Sequence, residues 1–408
     1  MTVTTTHPIL ENLKVSEINT QESAKALKFL ETLEFPTRKT EDWKYTKVNK
    51  IIKKEYKQSF ASCGINPTEY INDQLNAINV FIIDGVYCTE HSDTNLVDGV
   101  FIENIGKHNV NYNTLANNKE EIFTAINTAY AVNGVSIAVQ KNATVERPIH
   151  IININTIDNT IANSRLLIVL EQSSKVEIIQ SYFSKQAKNT FTNSVNEIIV
   201  KENANLTLTK LENEGEGSSL ISTDQVQQFS DSTIQINTIT KRQDFVRNDV
   251  NVLVNGQNCA TYLNGVYRPI NKEHIDNHTR VDHLKPNCMS SEIYKGVLNG
   301  KSTGVFNGKV IVHVDAQKIE AYQKNNNVLI SDHATMNAKP ELEIFADDVK
   351  CSHGTTTGQF NKEAIFYLQA RGISKTTAKE MLVEAFTDEV YNEIKNENLV
   401  TYLKEINL

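Results

Sequence analysis

The chain has 408 residues, enough to bury a large core and more than most single domains hold, so several units or one elongated fold are expected. Its 49 acidic and 41 basic side chains leave a net charge of −8 without a basic block. That argues against nucleic acid or an anionic membrane as the main partner, because phosphate recognition needs clustered Lys and Arg.

No apolar run approaches the ~20 residues that span a bilayer. The start, MTVTTTHPILENLKV, lacks a charged segment followed by an apolar one, so no signal peptide is expected and the chain reads as soluble and cytoplasmic. Cys63, Cys88, Cys259, Cys288 and Cys351 are scattered with no C-x-x-C pair. Neither a disulfide framework nor a closed four-cysteine zinc site is expected.

Residues 1–134 read as a helical region joined to a small α/β layer. Thr20 is a candidate cap for a helix carrying Ala26, Phe29, Leu30 and Leu33, and Pro36 stops it. The following PTRKTEDWKYT (Pro36–Thr46) holds the only tryptophan, Trp43, which with Tyr45 is expected to anchor a turn to the body of the protein. Val80–Tyr87 is strand-like with a hairpin signal at Asp84-Gly85, and a helix is expected over Glu120–Val132.

From Val135 the character changes to short alternating β segments for more than 200 residues. Val176, Leu206, Ile234 and Tyr262 recur at intervals of 30, 28 and 28 residues, each after a polar turn. Such a period suggests stacked coils of a β-solenoid over residues 135–358, with a β-sandwich as the competing fold. Five Asn-Gly pairs, at Asn133, Asn255, Asn264, Asn299 and Asn307, are candidates for corners that need positive φ.

Within this region HIDNHTRVDHLKPNC (His274–Cys288) collects His274, His278, Asp282 and His283. A row of polar side chains on an outer face accounts for it better than a metal site does. His313 and His333 stand alone and read as structural. The stretch Gly296–Ser302 resembles a phosphate-binding loop but has three residues between its glycines rather than four, and strands surround it. No G-x-G-x-x-G, G-x-S-x-G or H-E-x-x-H occurs, so ATP hydrolysis, if it drives the system, belongs to a partner.

The segment Lys339–Phe360, KPELEIFADDVKCSHGTTTGQF, begins as an alternating strand. If the strand continues past Asp347-Asp348, Val349, Cys351 and His353 share one face, with Lys350 and Ser352 on the other, before Gly354 and a Thr-rich turn end it. Thiolate and imidazole at i and i+2 can reach one iron or iron–sulfur centre, although two donors do not close a site. A buried cysteine beside a satisfied histidine is the plainer alternative.

Residues 359–408 turn helical. Ala364, Ile365, Tyr367 and Leu368 form a stripe ended by Gly372, and Ser374 caps a second helix carrying Ala378, Met381, Leu382, Ala385 and Phe386. Such a tail can cover the last coil of a solenoid or dock another protein.

KPELEIFADDVKCSHG, the Gly358-Gln359 turn, AIFYLQARGIS (Ala364–Ser374) and PTRKTEDWKYT together resemble the SufB/SufD family of iron–sulfur cluster assembly scaffolds, on its SufD side. The resemblance implies a right-handed parallel β-helix core and a non-catalytic scaffold role. It implies pairing with a SufB-like subunit through the β-helix and docking of a SufC-like ATPase on the C-terminal helices; the sequence leaves open whether the chain alone forms a homodimer. It further implies that His353, with Cys351 beside it, serves iron or a nascent cluster at the subunit interface. A β-helix polysaccharide lyase or hydrolase and a SufB-like paralogue are the alternatives; the first needs clustered acids on the solenoid flank.

Overall fold

The computed structural model describes residues 8–11, 13–59, 65–94, 97–106, 109–184 and 187–407. The repeating unit is a coil of two strands, one for each of two facing parallel sheets. The first sheet runs, in spatial order, from Thr335–Ile344 through Thr303–Val312, His274–His283, Gln243–Val254, Gly215–Gln228, Thr190–Val200 and Thr160–Leu170 to Val135–Val139 and Val100–Asn104. The second runs from Val349–Gly358 through Ile319–Leu329, Met289–Leu298, Ala260–Tyr267, Thr233–Thr240, Asn205–Asn213 and Lys175–Phe183 to Ile149–Ile154, Ile78–Ile83 and Val86–Cys88. Successive strands alternate between the sheets, so each residue stacks on one about 30 positions away. This is a β-solenoid, and the sandwich alternative falls.

The inward-facing residues of both sheets form one continuous apolar core. Val176, Leu206 and Ile234 stack in register within it. The next member is Thr261, not Tyr262, because that coil is 27 residues long. A one-residue slip moves a side chain to the opposite face, and Tyr262 accordingly points outward, where its hydroxyl lies 3.5 Å from the Met289 sulfur.

Along one edge the corners are turned by single positive-φ residues, mostly asparagine, rather than by Asn-Gly. Asn142, Ser173, Asn203, Asp231, Asn258, Asn287 and Lys318 all have positive φ and recur once per coil along one edge. Short polar side chains tolerate this conformation, and they bond along the stack: Asn203 Nδ2 donates to Ser173 Oγ at 3.0 Å and Asn258 Nδ2 to Asp231 Oδ1 at 2.9 Å. Of the five Asn-Gly glycines only Gly300 has positive φ. Gly265 and Gly308 lie within strands instead.

The two ends differ. At the N-terminal end antiparallel hairpins terminate both sheets, with Val86–Cys88 folded on Ile78–Ile83 and Val100–Asn104 on Val135–Val139. The expected Asp84-Gly85 turn makes the first of these, with φ of 49° and 82°. The first coil therefore draws on residues that precede 135. At the C-terminal end Thr335–Ile344 and Val349–Gly358 each pair on one side only, leaving an open edge.

The outer faces are covered unequally. Helices α1 (Thr20–Leu30), α2 (Asn49–Ile52) and α3 (Ile122–Tyr130) pack over Ile161, Phe191, Ile221 and Phe245 of the first sheet. Asn19, not Thr20, caps α1, its Oδ1 accepting from the Gln21 and Glu22 amides. The tail forms α4 (Lys362–Gln369), α5 (Lys375–Tyr391) and α6 (Glu397–Asn407), with Ser374 Oγ capping α5 as expected. It does not cover the last coil. Val390, Tyr391, Ile394, Leu399 and Leu403 turn back along the outer face of the second sheet, over Ile179, Leu211, Ile239 and Val266. That apolar column would otherwise face water. No helix among the described residues is long and apolar enough to cross a membrane.

Cys259, Cys288 and Cys351 are free thiols, Cys88 is disulfide-bonded, and Cys63 lies outside the described residues.

Candidate functional site

Cys351 and His353 lie on the last strand of the second sheet, whose far edge is unpaired. A corner over 345–348 separates this strand from Thr335–Ile344, so the two halves of the Lys339–Phe360 stretch belong to different sheets. The Thr-rich segment is strand, not turn: Gly354 to Gly358 pair with Lys324 to Val328. Threonine is β-branched and suits a pleated edge.

The two side chains share the inward face, roughly 7 Å apart along the strand. Cys351 continues the buried column Thr261, Ser290, Ala321, and it packs half-buried against the core. His353 continues the column Leu263, Glu292, Gln323 and is exposed to solvent. Lys350 and Ser352 face outward, with Lys350 Nζ 2.9 Å from Glu320 Oε1. Burial pushes the Cys351 thiol up, and a hydrogen bond from the Ala321 backbone opposes it.

Behind His353 the interior of the solenoid turns polar, which the sequence reading missed. Gln323 Nε2 donates to Glu292 Oε1 at 3.2 Å, and Thr279 Oγ1 donates to Glu292 Oε2 at 2.5 Å. Burial pushes the Glu292 carboxyl up to about 7. The available signal was Glu292 and Gln323 in the column where earlier coils carry Ile178, Leu208, Ile236 and Leu263; reading it required the register. Among the described residues no group of three or more His, Cys, Asp or Glu is placed to hold a metal ion. Cys351 and His353 are therefore two donors of an incomplete set.

The His274–His283 strand is divided by its pleat. His274, His278 and Asp282 face outward as expected, but His283 points into the core, its Nε2 3.0 Å from Ser290 Oγ, and burial lowers its pKa to about 4. The outer group centres on buried Asp276, which the sequence reading did not single out. Asp276 Oδ2 accepts from Thr46 Oγ1 at 2.6 Å and Arg247 Nη1 at 2.8 Å, and Oδ1 lies 2.9 Å from His278 Nε2. Arg247 occupies the place a cation would take. Its guanidinium also grips Asp249 through two bonds of 2.7 and 2.9 Å and lies 3.8 Å over the Trp43 ring. The cluster is a closed ion-pair network that anchors the Trp43 turn.

The family model for the SufBD core domain of the SUF iron–sulfur cluster assembly system matches residues 152–386, more than half of the chain. The chain belongs to the SufBD family. The SufBD N-terminal region matches residues 4–151. Among curated relatives, the iron–sulfur cluster assembly protein SufD of Escherichia coli is 28% identical over 369 residues, covering 89% of this chain and 86% of its own length. A SufBD family protein of Synechocystis is 26% identical, covering 93% and 88%. A chloroplastic protein of Arabidopsis thaliana is 28% identical, covering 90% and 80%. In this SufBD chain the family core model spans the coils from Ile152 onward and the first tail helices, and it includes both Cys351 and His353.

Proposed function

We propose that the chain is a non-catalytic, cytoplasmic scaffold subunit of a SufBCD-type assembly, in which iron or a nascent iron–sulfur cluster is the cargo handled at Cys351 and His353. The observation that carries this reading is the presence of both donors on Val349–Gly358, the strand that ends the second sheet at the C-terminal end and pairs on one side only among the described residues. A SufB-like subunit extends the sheets across that edge and supplies the remaining ligands; when it is missing, two copies of this chain pair through the same edge. A site completed only by a second chain can be opened and emptied, which suits assembly and transfer better than storage.

A SufC-like ATPase docks on the tail. Phe366 and Tyr367 of α4 are 72% and 54% exposed, and Met381 of α5 lies exposed near them in sequence. Gly296–Ser302 runs through a strand and a turn, so that stretch offers no helix N-terminus to a nucleotide. Motion of the tail has a direct path to the site. Glu389 of α5 pairs with Lys295 at 2.5 Å and Lys324 at 2.6 Å, and Lys324 is in register with Gly354, next to His353. ATP-driven closure of the partner pulls α5, shears the paired solenoids and exposes the interface.

The test is His353→Ala in the reconstituted complex with SufB-like and SufC-like subunits. Cluster formation is expected to fail while the subunits still co-elute; an unchanged yield with an intact complex removes His353 from the mechanism.

A further inference from the structure

A groove of about 1290 Å³ runs along the first sheet's flank, between the N-terminal segment and the corners of successive coils. One wall carries Arg38, Lys44 and Lys47 from the Trp43 turn, with Lys50 and Lys54 at α2. The other wall carries Arg242, Lys272 and Lys301 from three consecutive corners. None of these eight cations forms an ion pair among the described residues, in a chain whose net charge is −8. Five of them fall within residues 38–54, and the fold brings Arg242, Lys272 and Lys301 from distant coils to face them.

The arrangement is costly if empty. Lys272 and Lys301 occupy equivalent positions two residues before the paired His274 and Thr303, so like charges stack on adjacent coils. Lys54 is half-buried, and burial holds its amine below the usual range. Of the three acids in the groove, Glu273 turns its carboxylate to the Ile270 amide at 2.8 Å, leaving Glu216 and Asp244 at the surface.

Size and charge spacing select the occupant. The groove touches five consecutive strands of the first sheet, from Gly217 to Asn337, a length of roughly 19 Å at ~4.8 Å per strand. That matches an extended segment of about six residues, and the volume exceeds the ~300–1,000 Å³ common for small-molecule sites. Glu216 and Asp244 break the positive field into separate points, which suits spaced carboxylates better than a continuous phosphate backbone.

We propose that this groove docks an extended Asp/Glu-rich segment of a partner protein. It lies on the opposite side of the solenoid from the tail helices, and the inference stands apart from the reading of Cys351 and His353.

The test titrates the full-length chain into fluorescein-labelled decaglutamate and follows anisotropy at roughly 50 mM salt, where surface charge is weakly screened. Saturable binding is expected, weakened at least about tenfold by Lys272→Glu with Lys301→Glu and left within about twofold by Lys141→Glu at a remote corner. The pair Lys47→Glu with Lys50→Glu on the facing wall repeats the expected loss should the first pair fail to fold. Absence of saturable binding, equal weakening by Lys141→Glu, or tighter binding of a ten-residue oligouridylate than of the peptide overturns the proposal.

Discussion

His353 stands in register with Gln323 one coil inward, and the Gln323 amide donates to Glu292 on the coil before that. The exposed imidazole thus sits at the mouth of a buried polar file. Burial raises the Glu292 carboxyl to about 7, with the Thr279 and Gln323 hydrogen bonds opposing. Between its ordinary value near 4.5 and 7, the folded state keeps a proton that the unfolded chain releases, so this group's contribution to stability falls as pH rises through that window. Glu292→Gln removes the dependence. The variant should match the parent near pH 5 and exceed it at pH 8 by on the order of 2–3 kcal/mol, read from thermal unfolding at the two pH values. A difference that does not change with pH would refute the assignment.

Trp43 joins the N-terminal segment to the solenoid. Its ring lies 5.7 Å from that of Phe123 and under the Arg247 guanidinium, which is itself held by Asp249 and Asp276. Trp43→Ala removes a half-buried aromatic and a cation–π contact, and should cost about 2–4 kcal/mol in urea unfolding, with Trp43→Phe costing less than half of that. A loss below about 0.5 kcal/mol for the alanine variant would mean that the turn is held elsewhere.

Gly265 faces Tyr294 on the neighbouring strand, and Gly296 faces Tyr267 across the same pair. A β-carbon at Gly265 would come 2.3 Å from the Tyr294 ring. Gly265→Ala should destabilise by about 1–3 kcal/mol through overpacking. Combined with Tyr294→Leu it should cost less than the sum of the two single changes, by at least about 0.5 kcal/mol. Strict additivity would show that the ring is not the obstacle.

The three free thiols differ in access and in basicity. Cys259 is held below the usual thiol range, chiefly by its hydrogen bond with Cys288, whereas burial raises Cys351. Cys259 and Cys288 are 1% and 2% exposed, and Cys351 alone lies at an open edge. Access should govern: iodoacetamide modifies Cys351 first, faster as pH rises, and the other two only on unfolding. Peptide mapping by mass spectrometry over time reads this directly, and faster labelling of Cys259 at neutral pH would reverse the ranking.

Much was determined by the sequence alone. Alternating apolar segments at 28–30 residues declare stacked coils through their period, while Asp84-Gly85 declares its hairpin, Ser374 its helix, and Cys351 with His353 their common strand face, because these last three depend on contacts within a few residues. Four features were decided only by the tertiary structure. These are Thr261 in place of Tyr262 in the core column, asparagine in place of Asn-Gly at the corners, the Thr-rich run as edge strand, and the tail folded back instead of capping. To these are added the polar file behind His353 and the gathering of eight separate cations into one groove. All of them rest on which residue of one coil lies against which residue of the next. Coil length varies from 27 to 31 residues at the corner positions, so the register that decides every such neighbour is a property of the stacked chain and is absent from any single stretch of it.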